Sequence, residues 1–425
     1  MIRATRRDLL KSGIAAGLGT FLPARLCTSR AADTPAGQRL PVAAIVTEYR
    51  KDSHADVIVG KILEGYRQDG GPGPRLNLVS LYTDQVPATD MSRALAEKHG
   101  FRLVKSIDEA ITLGTNQVQV AGVLSIGEHG NYPMTPDTKQ HMYPRRRFFE
   151  EIVASFRRCG KSVPVFNDKH LGYRWDDAKF MVDTAHEMKF PLLAGSSLPV
   201  AWRQPILELP DDCEIESALA LGYGGLEAYG FHALEALQCM IEKRRGGETG
   251  VSSAQAVTGD AIRVAETQGQ WSQELLDAAL KTLPGSPSAT DDWTKNDQSA
   301  AYLLQHRDGL KSAVLMVNGL AAQFAVAVKL KGRSEPLATW FKLQPRAPFG
   351  HFAYLVQAFE QTIQTGHAAY PAERTLLTTG VLDRVMQSLS QGGVLMETPE
   401  LDVAYHSVHW PFANHRDAVM TLPND

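Results

Sequence analysis

The run Val118-Gln119-Val120-Ala121-Gly122-Val123-Leu124-Ser125-Ile126 and the two shorter runs after it, Val163-Pro164-Val165-Phe166 and Pro191-Leu192-Leu193-Ala194, decide the fold of this chain. Between them lie two helical patterns: Tyr143 to Cys159, stopped by Gly160, and Asp176 to Met188. A largely apolar strand is one buried on both faces, which is the signature of a parallel sheet. Strands alternating with helices at this spacing specify a sheet covered on both sides. Right-handed crossovers then lead to the doubly wound arrangement.

Working outward, Val42 to Val46 and Leu76 to Tyr82 read as two earlier strands. A helix over 54–67 carries Val57, Ile58, Ile62 and Leu63 on one face, and the loop Asp69 to Pro74 follows it. Asp90 to His99 reads as a helix ended by Gly100, and Asp108 to Ile111 as a short one. After about residue 200 the pattern changes. Ala228 to Arg245 is a long helix, and 283–298 is a loop rich in Pro, Ser, Asp and Thr. Leu310 to Val317 and Gln323 to Leu330 are strand-like and near enough in sequence to pair antiparallel, with Leu337 to Leu343 next. Phe352 to Thr365 and Arg374 to Ser390 are amphipathic helices. The expected fold class is α/β. An N-terminal Rossmann-like doubly wound parallel sheet covers 40–198, and a C-terminal α+β domain with a mainly antiparallel sheet covers 199–415.

The first 32 residues read as an address. Thr5-Arg6-Arg7-Asp8-Leu9-Leu10-Lys11 is a twin-arginine signature, followed by an apolar stretch from Ile14 to Leu22 and small residues at Ser29, Ala31 and Ala32. That order is a signal peptide, and the stretch is too short to span a bilayer. The expectations are passage through the twin-arginine translocase, a periplasmic or extracellular location, and no stable membrane insertion. The 425 residues carry a net charge of -3, which gives no electrostatic case for nucleic acid. Cys27, Cys159, Cys213 and Cys239 form no CxxC pair and fit no zinc module, and no HxH or HExxH spacing occurs, so no metal site is expected.

In doubly wound sheets ligands sit beyond the carboxyl ends of the strands, so the residues just after each strand are the site candidates. The segment ending Asn167-Asp168-Lys169-His170-Leu171, then Trp175-Asp176-Asp177-Ala178-Lys179, then Pro191 to Gly195, resembles the Gfo/Idh/MocA oxidoreductase family. Lys169 stands at the position of that family's Glu-Lys-Pro lysine, with Asp168 for the glutamate and His170 for the proline. Gly230-Phe231-His232-Ala233-Leu234-Glu235 resembles its Gly-x-His-x-x-Asp helix, and Leu95 to Gly100 and Val356 to Glu373 resemble further elements, over about 40–400. The resemblance implies hydride transfer between a sugar-like alcohol and NAD or NADP, with Lys169 and His232 handling the hydroxyl proton. Glu128 and His129, just after the third long strand, join them as acid–base candidates. Cofactor contacts are expected from Asp84, Ser125, Asp168 and Lys169, and substrate contacts from His170, Arg203 and Glu235. Exposed sheets in the family's second domain often pair, which implies a homo-oligomer.

One part of the pattern is missing. The glycine-rich turn that lets backbone N–H groups approach a pyrophosphate is replaced by Thr47-Glu48-Tyr49-Arg50-Lys51-Asp52-Ser53-His54, without a glycine until Gly60. Three functions stay open: an exported NAD(P)-dependent oxidoreductase on a sugar or polyol, a non-redox lyase or hydrolase acting on an oxidised sugar, and a sugar-binding protein that has lost the chemistry.

Overall fold

The computed structural model describes residues 39–285, 292–416 and 420. The twin-arginine signature and the rest of the expected signal lie outside the described residues. The first sheet has strands β1 (Leu40–Val46), β2 (Leu76–Thr83), β3 (Arg102–Val104), β4 (Gly122–Ile126), β5 (Val165–Asp168) and β6 (Leu192–Gly195). Their order is β3-β2-β1-β4-β5-β6, and every pairing is parallel. This is the doubly wound order that reverses direction between β1 and β4, where a crevice opens. The crossovers are α1 (His54–Glu64), α2 (Ser92–His99), α3 (Ile107–Thr112), α4 (Arg145–Cys159) and α5 (Trp175–Glu187). Along β1 the side chains alternate: Ala43 and Ile45 pack with α3, α4 and α5, while Val42, Ala44 and Val46 pack with α1.

The second sheet has eight strands in the order β14-β9-β10-β11-β8-β12-β13-β7. They are β7 (Trp202–Gln204), β8 (Ile215–Gly222), β9 (Val251–Val257), β10 (Ala300–His306), β11 (Lys311–Met316), β12 (Phe324–Leu330), β13 (Leu337–Lys342) and β14 (Met396–Glu397). All pair antiparallel except β8 with β11. Here the sequence expectation is corrected. β11 and β12 do not pair, because β8 lies between them, parallel to one and antiparallel to the other. The sequence pattern does not single out Ile215 to Gly222 as a strand, yet Leu219 and Leu221 face one side of the sheet and Ala218 and Ala220 the other. A strand buried on both faces takes the centre.

Helices α6 (Ala228–Ile241), α7 (Asp260–Thr267), α8 (Gln273–Leu280), α9 (His351–Thr365) and α10 (Ala372–Ser390) complete the chain. α6 and α10 cover one face of the second sheet, and α10 also packs on α5 and β6, so one apolar cluster runs through both sheets. α9 returns to the first sheet and packs beside α1 through Phe352, Leu355 and Phe359. The opposite face of the second sheet's central strands is covered by Ile262, Trp271, Leu275, Leu276 and Trp293 of the same chain. Among the described residues no helix is long and apolar enough to cross a membrane.

Candidate active site

The carboxyl ends of β1, β4, β5 and β6 meet the first turns of α6 and α9 around a cavity of about 590 Å³. His54, Glu128, His129, Lys169, His232 and His351 line it, with Tyr229, Phe324 and Phe352 among its apolar walls. Nine non-glycine residues have positive φ among the described residues, and four of them, Asp52, His129, Lys169 and Phe349, line this one cavity. Each such conformation costs on the order of 1–3 kcal/mol, so strain concentrated in one cleft points to function.

The floor is a buried charge cluster. Lys169 Nζ lies 2.9 Å from Glu128 Oε1, and Arg145 Nη2 donates to Glu128 Oε2 at 2.6 Å. Arg145 Nη1 meets His170 Nε2 at 2.9 Å. Arg145 reaches through only because residue 127 is glycine: a Cβ there would stand 2.7 Å from Arg145 Cγ. Burial pushes the Glu128 carboxyl up, but the Lys169 and Arg145 charges outweigh it and hold it well below the usual carboxylate range. Two cations thus face this one carboxylate, and a second carboxylate, Glu227, lies 3.8 Å from His170 Nε2, the nitrogen that Arg145 meets.

The walls carry neutral imidazoles. His232 Nδ1 is 2.6 Å from Ser196 Oγ, and burial first, then Lys169, pushes its pKa well down. Burial and then His54 lower His129 to about 4, and burial and then Lys61 lower His351 to about 3. His54 Nδ1 lies 2.6 Å from Asp168 Oδ2, whose side chain is buried. An ionised carboxylate only accepts, so the hydrogen of this bond sits on Nδ1. The His54 ring also packs edge-on against His129 and Phe352.

Of the acid–base candidates from the sequence, Glu128, His129, Lys169 and His232 all line the cavity. The others stand elsewhere. Asp168 lies behind the wall, supporting His54. His170 is buried against Arg145, and burial, then Arg145, lowers its pKa strongly. Ser125 lies within β4 between Ile45 and Asn167, its hydroxyl buried. Arg203 is buried on β7, donating to the carbonyls of Leu207 and Pro199 and stacking on Phe412, away from the cavity. Glu235 is buried between α6 and α10, accepting from Ser196 N–H and from the Thr375 and Thr378 hydroxyls. It is a structural bond across the core and does not face a substrate. The sequence reading missed His54, His351 and Arg145. The available signal for His54 was a histidine opening the first crossover helix, beside the strand ends.

The dinucleotide contacts can be tested residue by residue. In the turn after β1, Glu48 is buried and paired with Arg50 at 2.6 Å, a carboxylate where a pyrophosphate would need donors. Two amides at the start of α1 are already used: Asp56 N–H donates to Ser53 Oγ, and Val57 N–H to the Ser53 carbonyl. At the end of β2, Asp84 accepts from Tyr82 and Tyr132 hydroxyls and from Arg147, so three donors share its two oxygens. The turn after β1 lacks the glycines of the usual pyrophosphate cradle and sets a buried carboxylate beside it.

No protein-family profile matches the chain, and no curated protein does. Solved structures do. GenD2 from gentamicin A biosynthesis, in complex with NAD, superposes with a TM-score of 0.53 at 14% identity, over 85% of this chain and 96% of its own. Apo scyllo-inositol dehydrogenase from Lactobacillus casei gives 0.52 at 11% identity, over 85% and 98%. An oxidoreductase from Agrobacterium radiobacter in complex with NAD+, L-tartaric acid and magnesium gives 0.51 at 13%, over 85% and 98%. The parallel six-stranded sheet, the mainly antiparallel eight-stranded sheet and these superpositions give the chain the fold of the Gfo/Idh/MocA-type sugar and inositol dehydrogenases.

Proposed function

We propose that the chain is an enzyme of the Gfo/Idh/MocA type acting on a sugar- or polyol-like molecule in this cleft, and that its chemistry is proton transfer on an already oxidised sugar, of lyase or hydrolase class. The observation that carries this is the buried Lys169–Glu128–Arg145 cluster at the floor of the cavity, beside a turn where Glu48 is buried and paired with Arg50. The Lys169 cation, lining the cavity, can stabilise negative charge developing on a substrate oxygen. Neutral His232 and His129 offer ring nitrogens for hydrogen bonds to substrate hydroxyls. The aromatic walls suit the apolar faces of a sugar ring.

A second reading has its own support. Lys169 and His232 share the cavity, as the family resemblance expects for a nicotinamide-dependent oxidoreductase, and two of the similar structures hold NAD or NAD+. Calorimetric titration of the purified chain with NAD+, NADH, NADP+ and NADPH, alongside absorbance at the reduced-nicotinamide band with inositols and aldoses, separates the two. The expected result is no saturable heat up to millimolar cofactor and no polyol-dependent reduction. Saturable binding with polyol-dependent reduction would replace the first reading by the second.

A further inference from the structure

We infer that His54, held by Asp168, is the base of the cleft, and that the bond it breaks is a C–H bond next to a carbonyl. This rests on the non-redox reading above and names its reacting bond. His54 comes from the segment where a dinucleotide fold keeps its glycine turn. Its Nδ1 is engaged by Asp168 at 2.6 Å, and the residue lines the cavity. The pair is 114 residues apart in sequence, and each partner sits at the carboxyl-end rim of the first sheet. A carboxylate behind an imidazole fixes its tautomer and stabilises the imidazolium that forms when the base takes a proton.

The adjacent residue supplies the complement. Asp168 supports the base, and Lys169, turned off the strand end by a φ of 61°, carries the cation of the floor. One short segment therefore holds a base and an oxyanion stabiliser on the same cavity. In the step, His54 Nε2 takes the proton from the carbon beside the carbonyl. The C–H pair becomes the enolate C=C, and the carbonyl π pair moves onto oxygen, facing Lys169. Return of the proton completes exchange or isomerisation. Departure of a β-oxygen substituent, which takes the proton back from the His54 imidazolium just formed, completes elimination. Neither route needs an oxidant or a reductant. Glu128 is a poor competitor for the role of base, because Lys169 and Arg145 hold it as a strongly stabilised anion.

The test measures deuterium uptake by proton NMR, using a keto-inositol in D2O with the full chain. Wild type should exchange the protons beside the carbonyl faster than buffer. His54→Gln should lower that rate by about a hundredfold or more, the scale of general-base catalysis. Asp168, a positioning residue, is read by the nitrogen-15 spectrum of His54: hydrogen on Nδ1 and a bare Nε2 at pH 8, lost in Asp168→Asn. Thermal melts establish that both variants are folded. A His54→Gln rate within twofold of wild type, hydrogen on Nε2 at pH 8, or no exchange by wild type overturns the inference. If wild type also reduces NAD+ with a polyol, the non-redox reading falls with it. If it does neither, only the assignment of base and bond falls.

Discussion

At the scale of single residues, the molecule commits itself most strongly at Glu128. Its carboxylate is buried between two cations, each within hydrogen-bond reach. Desolvating such ions is costly, and the cluster persists only because each charge has a partner. Glu128→Gln would leave Lys169 and Arg145 facing each other without a counter-charge. Removing one member of a buried pair costs about 3–5 kcal/mol, and that loss is expected in urea unfolding at pH 7. A change under about 1 kcal/mol, the range of an exposed pair, would show that water screens the cluster. Glu128 and Lys169 were legible in the sequence because they come directly after strands whose apolar runs are unmistakable. Arg145 was not, since nothing local separates it from its neighbours Arg146 and Arg147, which ion-pair at the surface with Glu150 and Asp84.

At the scale of elements, α10 is the piece that ties the two sheets together. It packs on α5 and β6 of the first sheet and on α6 and β9 of the second. Asp383 from its middle accepts from Trp175 N–H, and Thr379 from Leu171 N–H, so it also fixes the loop after Lys169. The close approach depends on Gly380, where a Cβ would stand 2.4 Å from Leu401 and 2.6 Å from Trp175 side-chain atoms. Gly380→Ala sets two effects against each other. Alanine gains up to about 1 kcal/mol in helix propensity, while overpacking a filled core costs about 1–3 kcal/mol. The contact distances leave no room for relief by a small shift, so a net loss of about 1 kcal/mol and a lower melting temperature are expected. A rise in melting temperature would show that Trp175 or Leu401 moves freely aside.

At the scale of the whole molecule, buried neutral histidines set the response to acid. His129 lies at about 4 and His351 at about 3, and His170 and His232 also lie well below their ordinary value, burial being the largest cause in each. In the unfolded chain each titrates near 6.5. Below about pH 6.5 the unfolded state therefore binds more protons, and stability falls as pH falls. Glu128 and Glu248, held low by neighbouring cations against burial, act in the same direction at lower pH. Glu227 and Glu235, raised first by burial, act against it. The histidines are more numerous and titrate first, so the urea midpoint should be flat from pH 8 to 7 and drop steeply between 6 and 4. A midpoint constant down to pH 5 would mean that these histidines are protonated or exposed in the native state.

By itself the sequence determined the main strands and helices of the parallel first sheet, three strands and the long helices of the mainly antiparallel second one, and four of the polar residues on the cleft. These are read from apolar periodicity and from the residues at strand ends, and both signals are local in the chain. Only the tertiary structure decided that β8 separates β11 from β12, that Arg203 and Glu235 serve the core, and that Asp168 backs His54. Those outcomes depend on which distant segments share a face, and that is settled by burying both sides of two sheets at once. No stretch of sequence carries that information alone, because the energy that chooses the partners arises only when the segments meet.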